Sequence, residues 1–195
     1  IPDNAICAHA NQSRIGRFNM NDKKNVIYSK NVVSFARSKG WFKGADNEFN
    51  WKMTYARPDF SGRRFCDARV WAFFNHFSDN FSRYLPWAEG FDPNAEDMPL
   101  WIVPNHKLSV QDVQAAMRDH YEGTPLAMDS LDIGGGIYQI PYRPSPLTFK
   151  VDGKTYFSER PVSTQQTAFS FVSEMRSWLP REIGGVLWFG NDDSN

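Results

Sequence analysis

Several things are scarce in this 195-residue sequence. It has two cysteines, Cys7 and Cys66, too few for the disulfide framework that staples small extracellular domains. It has no surplus of either charge, since 22 Lys plus Arg face 22 Asp plus Glu. That balance argues against a nucleic-acid partner, which calls for a basic excess. It also removes the simplest ground for attachment to an anionic membrane. No apolar run approaches the ~20 residues of a membrane-spanning helix, and no secretory leader is recognisable. No methionine opens the chain. It starts Ile1-Pro2-Asp3, and its last apolar run, Val186-Leu187-Trp188-Phe189, lies close to its end. Both ends read as cuts, so residues 1–195 are expected to form a single domain that is an internal fragment of a larger protein.

Aromatic residues are plentiful, at 15% of the chain. Such rings must be buried or must line a cleft. Ala5 to Ala10 and Ser13 to Phe18 read as short strands, and Val26 to Ser29 as a third. Val32, Val33, Phe35 and Ala36 suggest a short helix that Gly40 stops. Phe49, Trp51, Met53 and Tyr55 alternate with polar residues, the period of a half-buried strand. Cys66, Val70, Phe73 and Phe77 recur at helical spacing, so Arg63 to Phe77 is expected to be an amphipathic helix with Cys66 a buried free thiol. Residues 82–99 read as a long loop.

Ser109-Val110-Gln111-Asp112 resembles a capping box at the start of a helix. Val110, Val113, Met117 and Tyr121 carry one face of that helix, and Gly123 ends it. Gly134-Gly135-Gly136 lacks the Lys-Ser/Thr of a phosphate loop. The alternating runs 147–151 and 154–158 flank Asp152-Gly153, the signature of a tight hairpin. Val162 to Met175, with Phe169 and Phe171 on one side, and Ile183 to Phe189 read as further strands. The class is α+β, with mainly antiparallel strands and a few helices packed on them.

Cys7 and His9 share a strand but lack partners for a closed metal site, and His76, His106 and His120 show no ligand spacing. No metal and no cofactor are expected. A cysteine–histidine dyad from Cys7 or Cys66 with His9 or His120 is weaker than an inert thiol. Asp192-Asp193 and the acids of residues 92–97 read as solvated turns. Three polar clusters are denser. Met117 to Thr124 ends a helix with more ionisable groups than one solvent face can take. Residues 158–167 run through Arg160, Ser163, Thr164, Gln165, Gln166 and Thr167 almost without apolar content. Ala10-Asn11-Gln12-Ser13-Arg14 is a polar turn.

In order, the blocks His9-Ala10-Asn11-Gln12-Ser13-Arg14-Ile15, Ser34-Phe35-Ala36-Arg37 with Gly40-Trp41-Phe42, Arg64-Phe65-Cys66-Asp67-Ala68-Arg69-Val70-Trp71, Met117 to Thr124, Glu159-Arg160 with Ser163 to Thr167, and Arg176 to Pro180 through Gly185 to Gly190 resemble the bacterial dipeptidase A-type peptidase family. The resemblance implies an N-terminal-nucleophile hydrolase with a four-layer αββα sandwich, incomplete here. It implies a nucleophilic cysteine exposed as the first residue by processing, its own α-amino group serving as base. Neither Cys7 nor Cys66 has that context, so the nucleophile is expected outside this chain, and the fragment alone is expected to be inactive.

Gln165, Gln166 and Arg160 are the supporting catalytic candidates, with Asp119, His120 and Glu122 as substrate-binding candidates. Their expected roles are oxyanion donation, recognition of substrate termini and orientation of the nucleophile. A dipeptide is the expected substrate, with no nucleic-acid or membrane partner. A homo-oligomer of the full-length protein stays open. The family has cytoplasmic and exported members, and the expectation leans slightly to export. The alternatives are an amidase for a bile-acid or penicillin-type amide, and a binding module using Trp41, Trp51, Trp87 and Trp101. With the N-terminal segment restored, Gln166→Ala is expected to slow dipeptide hydrolysis, and an unchanged rate removes Gln166 from the site.

Overall fold

A computed structural model of the chain describes residues 1–129, 136–138, 140, 148–157 and 160–194. Gly134, Gly135, Leu147, Ser158 and Glu159 therefore lie outside the described residues. The elements run β1 (Ile6–Cys7), α1 (Val32–Ser38), α2 (Trp51–Tyr55), α3 (Ala68–Asn75), α4 (Leu85–Glu89), β2 (Trp101–Ile102), α5 (Val110–Met117), β3 (Thr148–Val151), β4 (Lys154–Phe157), β5 (Phe169–Met175) and β6 (Gly185–Asn191). Short 3-10 turns occupy Asp46–Glu48, Phe81–Tyr84 and Gly136–Tyr138, and a π-helical turn, Gly62–Asp67, leads into α3. No described helix is long and apolar enough to cross a membrane.

The strands form three antiparallel pairs, β1–β2, β3–β4 and β5–β6. Among the described residues no sheet is wider than two strands. The α+β class and antiparallel pairing hold, and the fully layered sandwich is not assembled by these residues.

The main core is built on α3. Ala68, Val70, Trp71, Ala72 and Phe74 are buried on it, and they pack with Phe77, Phe81, Tyr84, Trp87, Ala88, Met98, Ile102, Ala116, Tyr121, Leu126 and Met128. Trp71 also donates its ring N–H to the Phe81 carbonyl at 3.2 Å, so its burial leaves no polar group stranded. A smaller core joins Val32, Val33 and Ala36 of α1 to Phe49, with Phe18, Tyr28, Phe42, Trp51 and Tyr55 around it. Its rings meet mostly edge-on, as Phe42 and Phe49 do at 5.3 Å and 82°, the arrangement that ring quadrupoles favour.

Several sequence expectations are corrected. The strand expected over Phe49–Tyr55 is the helix α2, capped by the Asn50 side chain accepting from the Met53 N–H at 3.0 Å. Lys52, on its supposed polar face, is buried and bonds Asp97 at 2.5 Å. A partner 45 residues away, not local alternation, decides which face goes inside. Of the strands expected over Ala5–Ala10 and Ser13–Phe18, only Ile6–Cys7 and a single bridge from Arg17 to Asn50 remain. Val26–Ser29 is not a strand. The 82–99 loop contains α4, whose Pro86 sits in the first turn, where a missing N–H costs nothing. β5 is shorter than expected, starting at Phe169, and β6 is shifted two residues on, to Gly185–Asn191. The helix of Val110 ends at Met117, well before Gly123.

Other expectations stand. Gly40 follows α1 with φ +71°, a conformation glycine adopts without strain. The capping box forms on both sides, Asp112 Oδ2 accepting from the Ser109 N–H at 2.8 Å and Ser109 Oγ from the Asp112 N–H at 3.2 Å. Asp152 (φ 50°) and Gly153 (φ 75°) turn the β3–β4 hairpin, as a primed two-residue turn requires.

One buried polar group fastens distant segments together. Arg14, 5% exposed, donates to the carbonyls of Ala8 (3.3 Å), Met98 (3.3 Å) and Pro99 (2.6 Å), and its guanidinium lies over the Phe74 ring. Burial lowers its pKa, and the charges of Asp67 and Asp97 oppose that. Arg14→Met is expected to cost about 3–5 kcal/mol, because it strands buried carbonyls and removes a cation from the buried Asp67. Arg17→Met, at an exposed position, is expected to stay within about 0.5 kcal/mol. Urea unfolding of the two variants measures the contrast.

Candidate functional site

The polar turn at Asn11-Gln12 faces the π-helical turn. Gln12 donates its side-chain N–H to the Ala56 carbonyl. Its Oε1 lies so close to Gly62 that a Cβ there would come within 2.7 Å of it. Asp59 Oδ1 accepts the Gly62 N–H at 2.7 Å, which fixes the start of that turn. The turn is wider than an α-helical one, a geometry that often marks functional segments.

Arg69, one turn on, is held by two donations, from Nε to the Phe65 carbonyl at 2.7 Å and from Nη2 to Asn11 Oδ1 at 2.8 Å. Arg160 joins the lining from a later segment, its carbonyl accepting from the Tyr121 hydroxyl at 2.6 Å. Together Asn11, Gln12, Asp59, Cys66, Arg69 and Arg160, with Ser61, Gly62, Phe65 and Thr148, line a cleft of about 460 Å³. That volume falls in the usual range of small-molecule sites, about 300–1,000 Å³.

The cleft unites two of the polar clusters seen in the sequence with the block around Cys66. It also corrects the expected burial of Cys66, which is half-exposed in its wall. Arg69 escaped sequence reasoning because it sits within a helical pattern and looked like a solvated position. A long cation four residues after Phe65 and level with a polar turn was the available signal.

The remaining candidates sit elsewhere. Asp119 and Glu122 line a second cavity of about 200 Å³ with Trp71, Ala72, Asn75, His76 and Thr124. There His76 Nε2 bonds Asp119 Oδ2 at 2.7 Å, while the other Asp119 oxygen accepts the Tyr121 N–H at 2.9 Å. His120 is buried, its Nδ1 3.0 Å from Glu122 Oε1, and its backbone N–H donates to Glu122 Oε2 at 2.7 Å. The hydrogen bond that its ring donates to Asp119 raises the His76 pKa above its ordinary value. Burial opposes this, and the charges of Asp119 and Glu122 add to it.

The two cavities are linked through the backbone. Tyr121 reaches Arg160, and the Ser163 N–H donates to the Asp119 carbonyl at 3.1 Å. Gln165 is half-buried and Gln166 exposed. Gln166 Oε1 accepts from Thr164 Oγ1 at 2.7 Å. Neither glutamine is among the residues lining the cleft.

Among the described residues, no group of three or more His, Cys, Asp or Glu is placed to hold a metal ion. Cys7 is exposed, and its thiol reaches the Ala8 carbonyl at 3.9 Å. Trp41 and Trp101 are exposed, Trp51 is half-buried, and Trp87 is buried with its ring N–H on Asp67 at 2.8 Å. The four rings named for a binding surface therefore differ widely in exposure.

The sign of the His76 shift sets a pH dependence. A raised folded pKa gives stability that is complete below the unfolded value, about 6.5, and is lost as pH rises through the folded value. Asp119→Asn is expected to return the His76 titration towards about 6.5 and to remove that extra stability on the acid side. NMR titration of the ring protons, with urea melts on both sides of the transition, reads both effects.

Comparison with known proteins covers the same residues. The profile of peptidase family C69 matches residues 1–195. A probable dipeptidase of Salmonella dublin is 27% identical over 189 residues, 95% of this chain and 36% of the relative. A probable dipeptidase of Latilactobacillus sakei is 26% identical over 190 residues, 97% of this chain and 34% of the relative. Dipeptidase A of Lactobacillus helveticus is 23% identical over 198 residues, all of this chain and 36% of the relative. The chain spans about a third of the length of these curated relatives.

Proposed function

The chain belongs to peptidase family C69, and from that premise we propose that the protein hydrolyses the peptide bond of dipeptides. The observation that carries the proposal is the cleft in which Asn11, Arg69 and Arg160 converge from three separate parts of the chain. The printed names of the relatives, dipeptidase A and probable dipeptidases, support the substrate class.

The nucleophile in this proposal is a processed first-residue cysteine outside these 195 residues. Its thiol proton passes to its own α-amino group, and the thiolate adds to the peptide carbonyl. Hydrogen-bond donors stabilise the oxyanion. The ammonium so formed returns its proton to the leaving amine as the C–N bond breaks, and water then releases the acyl group from sulfur. In this reading residues 1–195 supply part of the substrate cleft.

Cys66 is the competing nucleophile, because its thiol stands in the cleft wall near two arginines. The described residues lining that cleft include no histidine to take the proton of the Cys66 thiol. Gln165 and Gln166 remain candidates for the oxyanion role, and Asp119, His120 and Glu122 for positioning. The His76–Asp119 pair joins that second group.

A cysteine-directed alkylating agent, added below stoichiometry to full-length protein and followed by peptide mass mapping, tests the assignment. Label on the first-residue cysteine, with proportional loss of dipeptide hydrolysis, is the expected result. Activity lost in step with label on Cys66 instead would place the nucleophile in the cleft wall and overturn the proposal.

A further inference from the structure

We infer that the Arg69–Arg160 cleft binds its substrate by both charged ends, the two guanidiniums taking the free carboxylate and Asp59 taking the free ammonium. The inference rests on the proposed dipeptide reading and adds the means by which a dipeptide is told from a longer or blocked peptide.

The first observation is the charge of the cleft. Its described lining carries two guanidiniums, Arg69 and Arg160, and one acid, Asp59. Neither arginine forms an ion pair among the described residues. Arg69 spends Nε–H and one Nη2 hydrogen on neutral acceptors, the Phe65 carbonyl and the Asn11 amide oxygen. Arg160 is half-buried. Among the described residues its guanidinium meets no acceptor, and its only bond is through the backbone carbonyl.

A guanidinium withdrawn partly from water without a counter-charge is left poorly solvated. An incoming carboxylate repays that cost through short, charge-assisted bonds, and the planar fork suits its two oxygens. The adjoining cleft of similar volume makes the contrast. It holds Arg57 and Arg63 against Asp59 and Asp97. Arg63 there is already engaged, its Nη1 donating to the Asp92 carbonyl at 2.7 Å and its guanidinium 3.9 Å from the Trp87 ring centre.

The second observation is that Arg69 and Asp59 are held in place before any ligand arrives. Arg69 is clamped at two points. Arg160 is held at its backbone by the Tyr121 hydroxyl, with its guanidinium left to turn to a ligand. Asp59 is fixed by Oδ1 on the Gly62 N–H, which leaves Oδ2 for a ligand. Asn11 and Gln12 add amide groups to the lining, each with one amide atom already engaged within the protein. Pre-positioned groups of both signs fit a zwitterion. A chain extended at either end has its charge displaced from this receptor.

The probe is the hydroxyethylene isostere of alanyl-alanine, which keeps both charged ends and cannot be cleaved. Binding to full-length protein is measured by calorimetry beside the C-terminal amide of the isostere, its N-acetyl form and inorganic phosphate. Arg160→Met is expected to weaken the free isostere by roughly tenfold or more, the loss typical of a charge-assisted bond. It should leave the C-terminal amide nearly unchanged. Arg69→Lys should weaken the free isostere less than Arg160→Met does.

Asp59→Asn keeps the acceptor for Gly62 and should weaken the free isostere while sparing the N-acetyl form. Equal losses for free and blocked probes, or no loss in any variant, would overturn the inference, as would phosphate binding as tightly as the isostere. Circular dichroism of each variant separates such losses from unfolding. Absence of dipeptide hydrolysis with this binding pattern intact would sink the enzymatic reading alone. Hydrolysis with binding indifferent to Arg160 would sink this inference alone.

Discussion

A carboxylate cut off from water must be surrounded by donors and cations, and Asp67 imposes that demand on much of this molecule. It is fully buried. One oxygen accepts from the Trp87 ring N–H, while burial pushes its pKa up against the opposing pull of Lys52 and Arg14. Neither cation comes from its own helix. Lys52 arrives on α2 and spans to Asp97, with its ammonium 4.8 Å from the Trp87 ring centre. Arg14 arrives on the polar turn and binds the carbonyls at Met98 and Pro99. Four segments distant in sequence thus meet around one acid. Such a cluster is weak evidence of added stability, because desolvating its members costs about as much as their attraction returns. Its effect is to specify which segments are neighbours.

The same π-helical turn has two uses. Asp67 points into the charged cluster, while Gly62, Phe65 and Cys66 present themselves to the cleft. Arg14 and Asn11 are likewise three residues apart on one turn, the first anchored inside and the second bonded to Arg69. The cleft is therefore tied to the interior by the carbonyl bonds of Arg14 and by the Lys52–Asp97 ion pair. This is how a surface built from turns and loops holds its side chains in register without a wide sheet below it.

What the sequence revealed depended on the range of the controlling interaction. The β3–β4 hairpin and the α5 capping box were legible because Asp152-Gly153 and Ser109–Asp112 act within four residues. Helix α1 was legible for the same reason. Helix α2 was not, because Phe49, Trp51, Met53 and Tyr55 satisfy a two-residue period by coincidence while Lys52 goes inward to a distant acid. The end of α5 was misplaced because Gly123 does adopt φ +71° but terminates a later turn, Asp119 having already folded back onto the Tyr121 N–H. In the site, Arg160 stood out against an apolar-poor stretch. Arg69 and His76 did not, since each acquires meaning only from Asn11 or Asp119, which lie 58 and 43 residues away.

The absent side chain at Gly62 acquires a wider meaning in this light. A single added carbon there would press on the Gln12 carboxamide at 2.7 Å, and that side chain would have to swing away from the Ala56 carbonyl it holds. Asn11 precedes Gln12 on the same turn and steers the Arg69 guanidinium. A steric event in the floor would thus break the Gln12–Ala56 tie one residue from the Asn11 that steers the Arg69 charge. Shape and charge are adjacent in this cleft, the fit at Gly62 and the field at Arg69 resting on successive residues.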